Sequence, residues 1–333
     1  MPTLTHGGVA YEAAPGESVL EALLRHGVEV SNSCRSGACQ SCILRAASGE
    51  VPVNAQQGLK PTLVEQGYFL SCLCRPAGDL RLESAGGLEI AATITSLERL
   101  TPTVLRVQVR PREPMAYRAG QYISLRRQDG LMRSYSVASL PDGDTLELHV
   151  RRAHQGRMSG WLFDEAQPNV AVSVRGPAGD CFYTAGQPEQ PLLLVGTGTG
   201  LAPLAGICRD AARQGHRGPI HLYHGALRPD GLYLQDELRE LTQIHANIHY
   251  RPAVLEGGEA LGLASGSLDR VIAADHPTLS GWRGFVCGDP SIVEKLKKKL
   301  FLAGMASRHI FADAFVEAAI PAGIPAGIPA GTP

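Results

Sequence analysis

Four cysteines constrain this chain more than any other feature. Cys34, Cys39 and Cys42 lie in Cys34-Arg35-Ser36-Gly37-Ala38-Cys39-Gln40-Ser41-Cys42, a C-x4-C-x2-C spacing, and Cys72 follows 30 residues after the last of them. This is the ligand spacing of a plant-type [2Fe-2S] centre, in which four thiolates hold two irons. Gly37, with the small Ser36, Ala38 and Ser41, lets the loop backbone approach such a centre closely. Cys72-Leu73-Cys74 offers two candidates for the fourth ligand, of which Cys72 is preferred. Zinc ribbons normally repeat the C-x2-C pair, whereas the second pair here is C-x-C. A disulfide framework would call for an oxidising compartment and a small secreted chain, and neither is indicated.

With 333 residues the chain is long enough for two or three separate cores. Its 44% hydrophobic and 19% charged residues describe an ordinary globular protein, and a formal net charge of -1 gives no electrostatic reason to bind nucleic acid. The first residues lack a basic stretch followed by an apolar one, and no apolar run approaches about 18 residues. No membrane span is expected, and the cytoplasm suits cysteines kept reduced for a metal.

Around the cysteines, residues 3–6 and 9–12 read as strands of a hairpin turning at Gly7-Gly8. Ser18 and Glu21 form a capping box before Val19, Leu20, Leu23 and Leu24, and Gly27 closes that helix. A turn-rich stretch at 84–88 marks a linker. Strands then dominate at 91–97, 104–109, 122–125, 134–138, 146–151 and 171–175, the pattern of an antiparallel barrel. Alternation in Arg133-Ser134-Tyr135-Ser136 puts a cation beside a flat ring on one face and two serines on the other. Gly156-Arg157-Met158-Ser159 precedes a short helix that Ser159 is expected to cap.

From Pro188 the pattern changes to alternating strand and helix. The buried-strand run Pro191-Leu192-Leu193-Leu194-Val195 opens into Gly196-Thr197-Gly198-Thr199-Gly200 and then a helix with Pro203 in its first turn. Strand, glycine loop and helix cradle phosphate in doubly wound folds, although G-x-G-x-G is not the usual dinucleotide spacing. Further strands at 220–225, 248–253, 284–287 and 309–315 predict a parallel sheet, with Cys287-Gly288-Asp289-Pro290 at a strand end where such sheets bind ligands.

In this order the motifs resemble the ferredoxin-NADP reductase superfamily, specifically its bacterial members with an N-terminal plant-type ferredoxin domain. The resemblance runs from about Leu4 to Phe315. It implies a β-grasp-like α+β ferredoxin domain at 1–87, an antiparallel β-barrel flavin domain at 88–187, and a doubly wound α/β NAD(P)-binding domain at 188–317. It implies FAD, with Arg133 at the pyrophosphate, Tyr135 against the isoalloxazine, Ser134 on the same flavin-binding strand, Ser136 near N5, and His149, Val150 and Arg151 lining the flavin. Gly156, Met158 and Ser159 would hold flavin phosphates. Gly196, Thr197, Gly198, Thr199, Gly200 and Pro203 would receive the nicotinamide cofactor, with Cys287 and Gly288 beside its reactive ring. The implied activity is NAD(P)H-dependent reduction of a [2Fe-2S] cluster through FAD, with Ser136 and Cys287 as the catalytic pair.

The implied partner is a separate acceptor protein, an oxygenase component or alternatively a CDP-deoxyhexose dehydrase, and the reductase itself is expected to be a monomer. Arg228 suits a 2′-phosphate and Asp230 a free 2′-hydroxyl, and family habit favours NADH over NADPH. Gln40, Asp289 and Asp313 depart from the family pattern, which more often has Gly, Pro and Glu at these places. Cys181 and Cys208 read as small buried hydrophobes, and Lys295, Lys297, Lys298 and Lys299 as a solvated helix face. The Ile-Pro-Ala-Gly repeats in 318–333 cannot build a core and are expected to be disordered.

Overall fold

The computed structural model describes residues 1–28, 30, 42–59, 61–83 and 89–315. Cys34, Cys39, Gln40, the expected linker and the repeat tail lie outside the described residues.

The first sheet has strands β1 (Thr3–His6), β2 (Val9–Glu12), β3 (Ile43–Ser48), β4 (Tyr68–Leu70) and β5 (Leu80–Glu83), in the order β2-β1-β5-β3-β4. β1 and β5 run parallel and the other pairs antiparallel. Helix α1 (Val19–Arg25) starts at the expected capping box, where the Ser18 hydroxyl accepts from the Glu21 N–H and the Glu21 carboxylate accepts from the Ser18 N–H. It buries Val19, Ala22 and Leu23 against Leu4, Phe69 and Leu80. Helix α2 (Pro61–Glu65) leads through a glycine turn into β4.

The second sheet is antiparallel throughout. Its strands are β6 (Glu89–Thr101), β7 (Val104–Pro111), β8 (Tyr122–Arg126), β9 (Met132–Ser136), β10 (Leu146–Arg151) and β11 (Ala171–Ala178), ordered β10-β7-β6-β11-β8-β9. A bridge between Val137 and Leu148 brings the two sheet edges together, so the sheet curls into a barrel. Helix α3 (Arg157–Asp164) packs Met158, Leu162 and Phe163 into the barrel core of Val107, Ile123, Leu125 and Val150.

The third sheet is wholly parallel: β12 (Leu192–Thr197), β13 (Ile220–Ala226), β14 (Ile248–Val254), β15 (Ala264–Ser265), β16 (Arg283–Gly288) and β17 (Ile310–Ala314), ordered β15-β14-β13-β12-β16-β17. Helices α4 (Leu201–Arg213), α5 (Gln235–Ile244), α6 (Leu268–Asp275) and α7 (Pro290–Leu302) cover both faces. Leu192 and Leu194 join one core with α4 and α5, while Leu193 and Val195 join another with α6 and α7. Burial on both sides explains why β12 is an unbroken apolar run. Because β12 lies between β13 and β16, the chain departs in opposite directions on its two sides and leaves a crevice at its carboxyl end.

The barrel and the parallel sheet meet through a polar joint. Arg106 pairs with Glu237, Arg209 with Glu147 at 3.8 Å, and His149 Nδ1 meets the Tyr233 hydroxyl at 3.1 Å.

Candidate active site

The crevice is built from backbone brought unusually close. β12 runs out at Thr197, residues 198–200 make one tight turn, and α4 begins with Gly200 as its N-cap and Pro203 in the first turn. Gly198 has φ +53, a conformation that costs glycine little. Gly200 is needed for a different reason: a Cβ there would lie 2.2 Å from the Cys287 carbonyl oxygen. A Cβ on Gly288 would lie 2.6 Å from the Thr197 hydroxyl oxygen, which accepts from the Asp289 N–H at 3.4 Å. The predicted glycine loop and the predicted Cys287-Gly288 strand end therefore form one surface. Asp289, a departure from the family pattern, accepts from the Ser291 and Ile292 N–H groups and so caps α7.

The barrel supplies the other wall. The Ser136 hydroxyl donates to Asp313 Oδ2 at 3.0 Å, joining β9 to β17 across 177 residues. Burial pushes the Asp313 carboxyl above the usual range, outweighing the hydrogen bond from Ser136. Cys287 Sγ lies 3.6 Å from Cys181 Sγ, and burial holds the Cys287 thiol well above its ordinary pKa. The sequence pattern marked Cys181 only as buried; its contact with Cys287 has no local signature.

On β9, Tyr135 packs against the barrel core and burial raises its phenol. Ser134 meets Ser124 across the strand pair at 3.2 Å, and Arg133 donates to the Met132 carbonyl at 2.7 Å. One expectation needs correction: Ser159 does not cap α3. Gly156 occupies the cap, and Ser159, in the first turn, accepts from the Ala153 N–H at 3.1 Å and donates to the Gly156 carbonyl at 3.2 Å. The serine thus braces the preceding loop instead of ending the helix. A Cβ on Gly156 would stand 2.4 Å from that hydroxyl.

Val150 is buried in the barrel core, whereas Arg151 ends β10 in an exposed position. The His149 side chain is fully committed. Its Nε2 lies 2.9 Å from Glu147 Oε1 and its Nδ1 faces Tyr233, so the tautomer that fits has Nε2–H donating to the carboxylate and Nδ1 accepting from the phenol. Burial raises the Glu147 carboxyl, but the His149 hydrogen bond with Arg106 and Arg209 brings it down to about 2. Burial also lowers His149, outweighing Glu147.

Both depressed values act with the same sign. The unfolded chain takes up protons first as pH falls, His149 below about 6.5 and Glu147 below about 4.5. Stability from this joint is present above those values and declines as pH drops toward 2, with Glu147 alone worth about 3 kcal/mol. In acid unfolding, Glu147→Gln should flatten the stability curve between pH 5 and about 2 by lowering its neutral end, moving the midpoint to higher pH; an unchanged curve would remove Glu147 as a cause.

Cys42 and Cys72, the predicted ligands among the described residues, come together at 3.2 Å, both buried. Ser71 secures them, its hydroxyl and N–H both donating to the Cys42 carbonyl. Cys74 is fully buried elsewhere, in the core with Leu4, Val19 and Phe69. Two converging thiols suit a metal–sulfur centre, and a third packed among hydrocarbons does not.

Arg228 lies beyond the end of β13, with its Nε 3.1 Å from Glu256 Oε2; both flank a cavity of about 360 Å³ that Pro229 and Gly257 also line. Asp230 lies in the adjoining turn.

Comparison with known proteins agrees with this arrangement. Residues 3–77 match the 2Fe-2S iron-sulfur cluster binding domain family, 92–183 the oxidoreductase FAD-binding domain and 194–298 the oxidoreductase NAD-binding domain. The ferredoxin–NAD(P)+ reductase component of a naphthalene 1,2-dioxygenase system from Pseudomonas putida is 32% identical over 308 residues, covering 90% of this chain and 94% of the relative. This chain belongs to the ferredoxin-NAD(P) reductase family. The reductase also shares 28% identity with a CDP-6-deoxy-L-threo-D-glycero-4-hexulose-3-dehydrase reductase from Yersinia pestis, over 93% of this chain and 96% of that one. Among solved structures, the Amycolatopsis cytochrome P450 reductase GcoB superposes with a TM-score of 0.68 at 32% identity, covering 95% of this chain and 99% of that one.

The reductase is thus an oxidoreductase with a [2Fe-2S] unit, an FAD unit and an NAD unit, in which electrons pass from NAD(P)H through FAD to the cluster. Among the described residues, no helix is long and apolar enough to cross a membrane.

Proposed function

We propose that this reductase oxidises NADH and supplies single electrons from its cluster to a separate oxygenase component. The observation that carries the reading is the junction where Ser136 and Asp313 bond across the barrel and the parallel sheet, beside Cys287 and the glycine loop. Support for the acceptor comes from the dioxygenase relative. When bound, a flavin accepts a hydride's two electrons together and passes them singly to a [2Fe-2S] centre.

Each wall of the crevice has a part in this scheme. Gly196, Thr197, Gly198, Thr199 and Gly200 offer backbone N–H groups to the coenzyme's pyrophosphate, and α4, with Pro203 in its first turn, offers a helix start. Arg133, Ser134, Tyr135 and the start of α3, with Gly156, Met158 and Ser159, hold the flavin, alongside the strand His149-Val150-Arg151. Ser136, with its proton given to Asp313, keeps its oxygen lone pairs for the reacting ring edge. Cys287 stays a neutral thiol that shapes and polarises the nicotinamide pocket. Cys34, Cys39, Cys42 and Cys72 ligate the cluster.

An anaerobic NADH titration tests the reading, with flavin absorbance and the reduced-cluster EPR signal followed together. The flavin bleaches and the cluster signal grows with it; Ser136→Ala slows the bleaching about tenfold or more while leaving iron content unchanged. If neither NADH nor NADPH bleaches the flavin, the reading is wrong.

Coenzyme choice follows from the pairing at the ribose end. Glu256 neutralises Arg228, the cation that would otherwise welcome a 2′-phosphate, so NADH is preferred. Exposed pairs of this kind are worth up to about 1 kcal/mol, so Glu256→Gln raises kcat/KM for NADPH by about fivefold and leaves NADH unchanged. Equal changes for the two coenzymes would place the selection elsewhere.

A further inference from the structure

Where the ferredoxin sheet meets the flavin barrel, two glutamine side chains and one carbonyl form a closed hydrogen-bond set. Gln121 Nε2 donates to Gln66 Oε1 at 2.8 Å and to the Gly179 carbonyl at 3.1 Å, while its Oε1 accepts from the Arg118 N–H at 2.8 Å. Gln66 Nε2 donates to the same Gly179 carbonyl at 3.2 Å and to the Thr62 carbonyl at 3.0 Å. Both N–H bonds of each amide are used, and the Gly179 oxygen accepts twice. Gln121 is 3% exposed, so it cannot exchange these partners for water without opening the joint. Arg118 and Glu65 form an ion pair alongside.

The anchors on each side are short. Gln66 stands two residues before β4, and β4 runs directly into Ser71 and Cys72. Its own backbone is tied to β3, because its carbonyl accepts from Arg45 Nε at 2.9 Å. On the barrel side, the Gln121 carbonyl accepts from the Val137 N–H at 2.7 Å, and the next residue, Tyr122, pairs with Ser136. Gly179 lies two residues before Cys181, the neighbour of Cys287.

We infer that the Gln66–Gln121–Gly179 amide set is the latch that positions the Cys72 side of the ferredoxin unit against the flavin strand, and so controls electron passage from flavin to cluster. This rests on the electron route proposed above. Gln66 and Gln121 are positioning residues: their side chains bond to each other and to backbone groups, and act by fixing β4 relative to β8 and β9. Misplacement by about 1 Å far from the chemistry can cost about 10²-fold in rate, which sets the scale of the expected effect.

Stopped-flow reduction of the full-length holoprotein by NADH separates the two steps, flavin bleaching first and cluster reduction second. Gln66→Leu leaves the bleaching rate and the KM for NADH within about twofold of the parent, but slows cluster reduction by about 10- to 100-fold. Iron content and the cluster's visible spectrum, unchanged, show that the ferredoxin unit is intact. Gln121→Leu slows the same phase, and the double variant is no slower than the worse single one, because the two amides share one interaction. Unchanged cluster reduction in Gln66→Leu, or equal slowing of both phases, overturns the latch. A parent protein whose flavin bleaches without cluster reduction would instead overturn the electron route itself.

Discussion

Cys72→Ser gives a protein that binds flavin and is bleached by NADH yet shows no reduced [2Fe-2S] signal, whereas Cys74→Ser keeps that signal. The two cysteines are separated by a single residue, Leu73, and local spacing treats them almost alike. Their surroundings do not: Cys72 Sγ is 3.2 Å from Cys42 Sγ, and Cys74 is sealed among Leu4, Val19 and Phe69. A cluster ligand must be a thiolate facing the metal, and a sulfur fully enclosed by hydrocarbon serves instead as a small apolar group. Retained bleaching in Cys72→Ser shows that the other two units remain folded. Full iron and labile sulfide in Cys72→Ser, or their loss in Cys74→Ser, would reverse the assignment.

Gly200→Ala should slow reduction by NADH about 10²-fold while dithionite still reduces the flavin at the parent's rate. The added methyl would sit 2.2 Å from the Cys287 carbonyl oxygen, 2.6 Å from its carbon and 2.9 Å from Gly288 Cα. All three are backbone atoms of the neighbouring strand, so no side chain can turn away to make room. Overpacking of this kind costs about 1–3 kcal/mol, and here it acts by prising the glycine loop from the strand carrying Cys287. A displacement of about 1 Å is enough to slow hydride delivery about 10²-fold. Stopped-flow bleaching at saturating NADH reads the effect, and a rate equal to the parent's would show that the close approach is dispensable.

How much of this was legible before the structure depended on the range of each interaction. The Ser18 and Glu21 capping box and the run from Leu192 into the glycine loop are local, and their geometry follows from neighbouring residues. The antiparallel barrel was legible from its strand spacing. β5, only four residues beside a turn-rich stretch, was not, because its pairing with β1 joins residues about 76 apart. Ser136 stands in a motif that marks it as a candidate, whereas its partner Asp313 shows only as a departure from a motif. The bond between them spans 177 residues, and no periodicity encodes such a contact. Gln66 and Gln121, 55 residues apart, carry no motif at all. Ser159 misled because a serine near a helix start usually caps it; here Gly156 takes that place and the hydroxyl turns back to the loop.

The thiol pair at the crevice also bears on how long such a protein lasts in air. Reduced flavins and iron–sulfur centres generate peroxide when oxygen intercepts their electrons, and a nearby cysteine is the first side chain at risk. Attack by peroxide requires the thiolate, and access. Cys287 is 2% exposed and held in its protonated form, with Cys181, equally enclosed, against it. Sulfur buried at the crevice, where β16 meets the glycine loop, is thereby chemically quiet, and oxidative wear should begin elsewhere in the molecule.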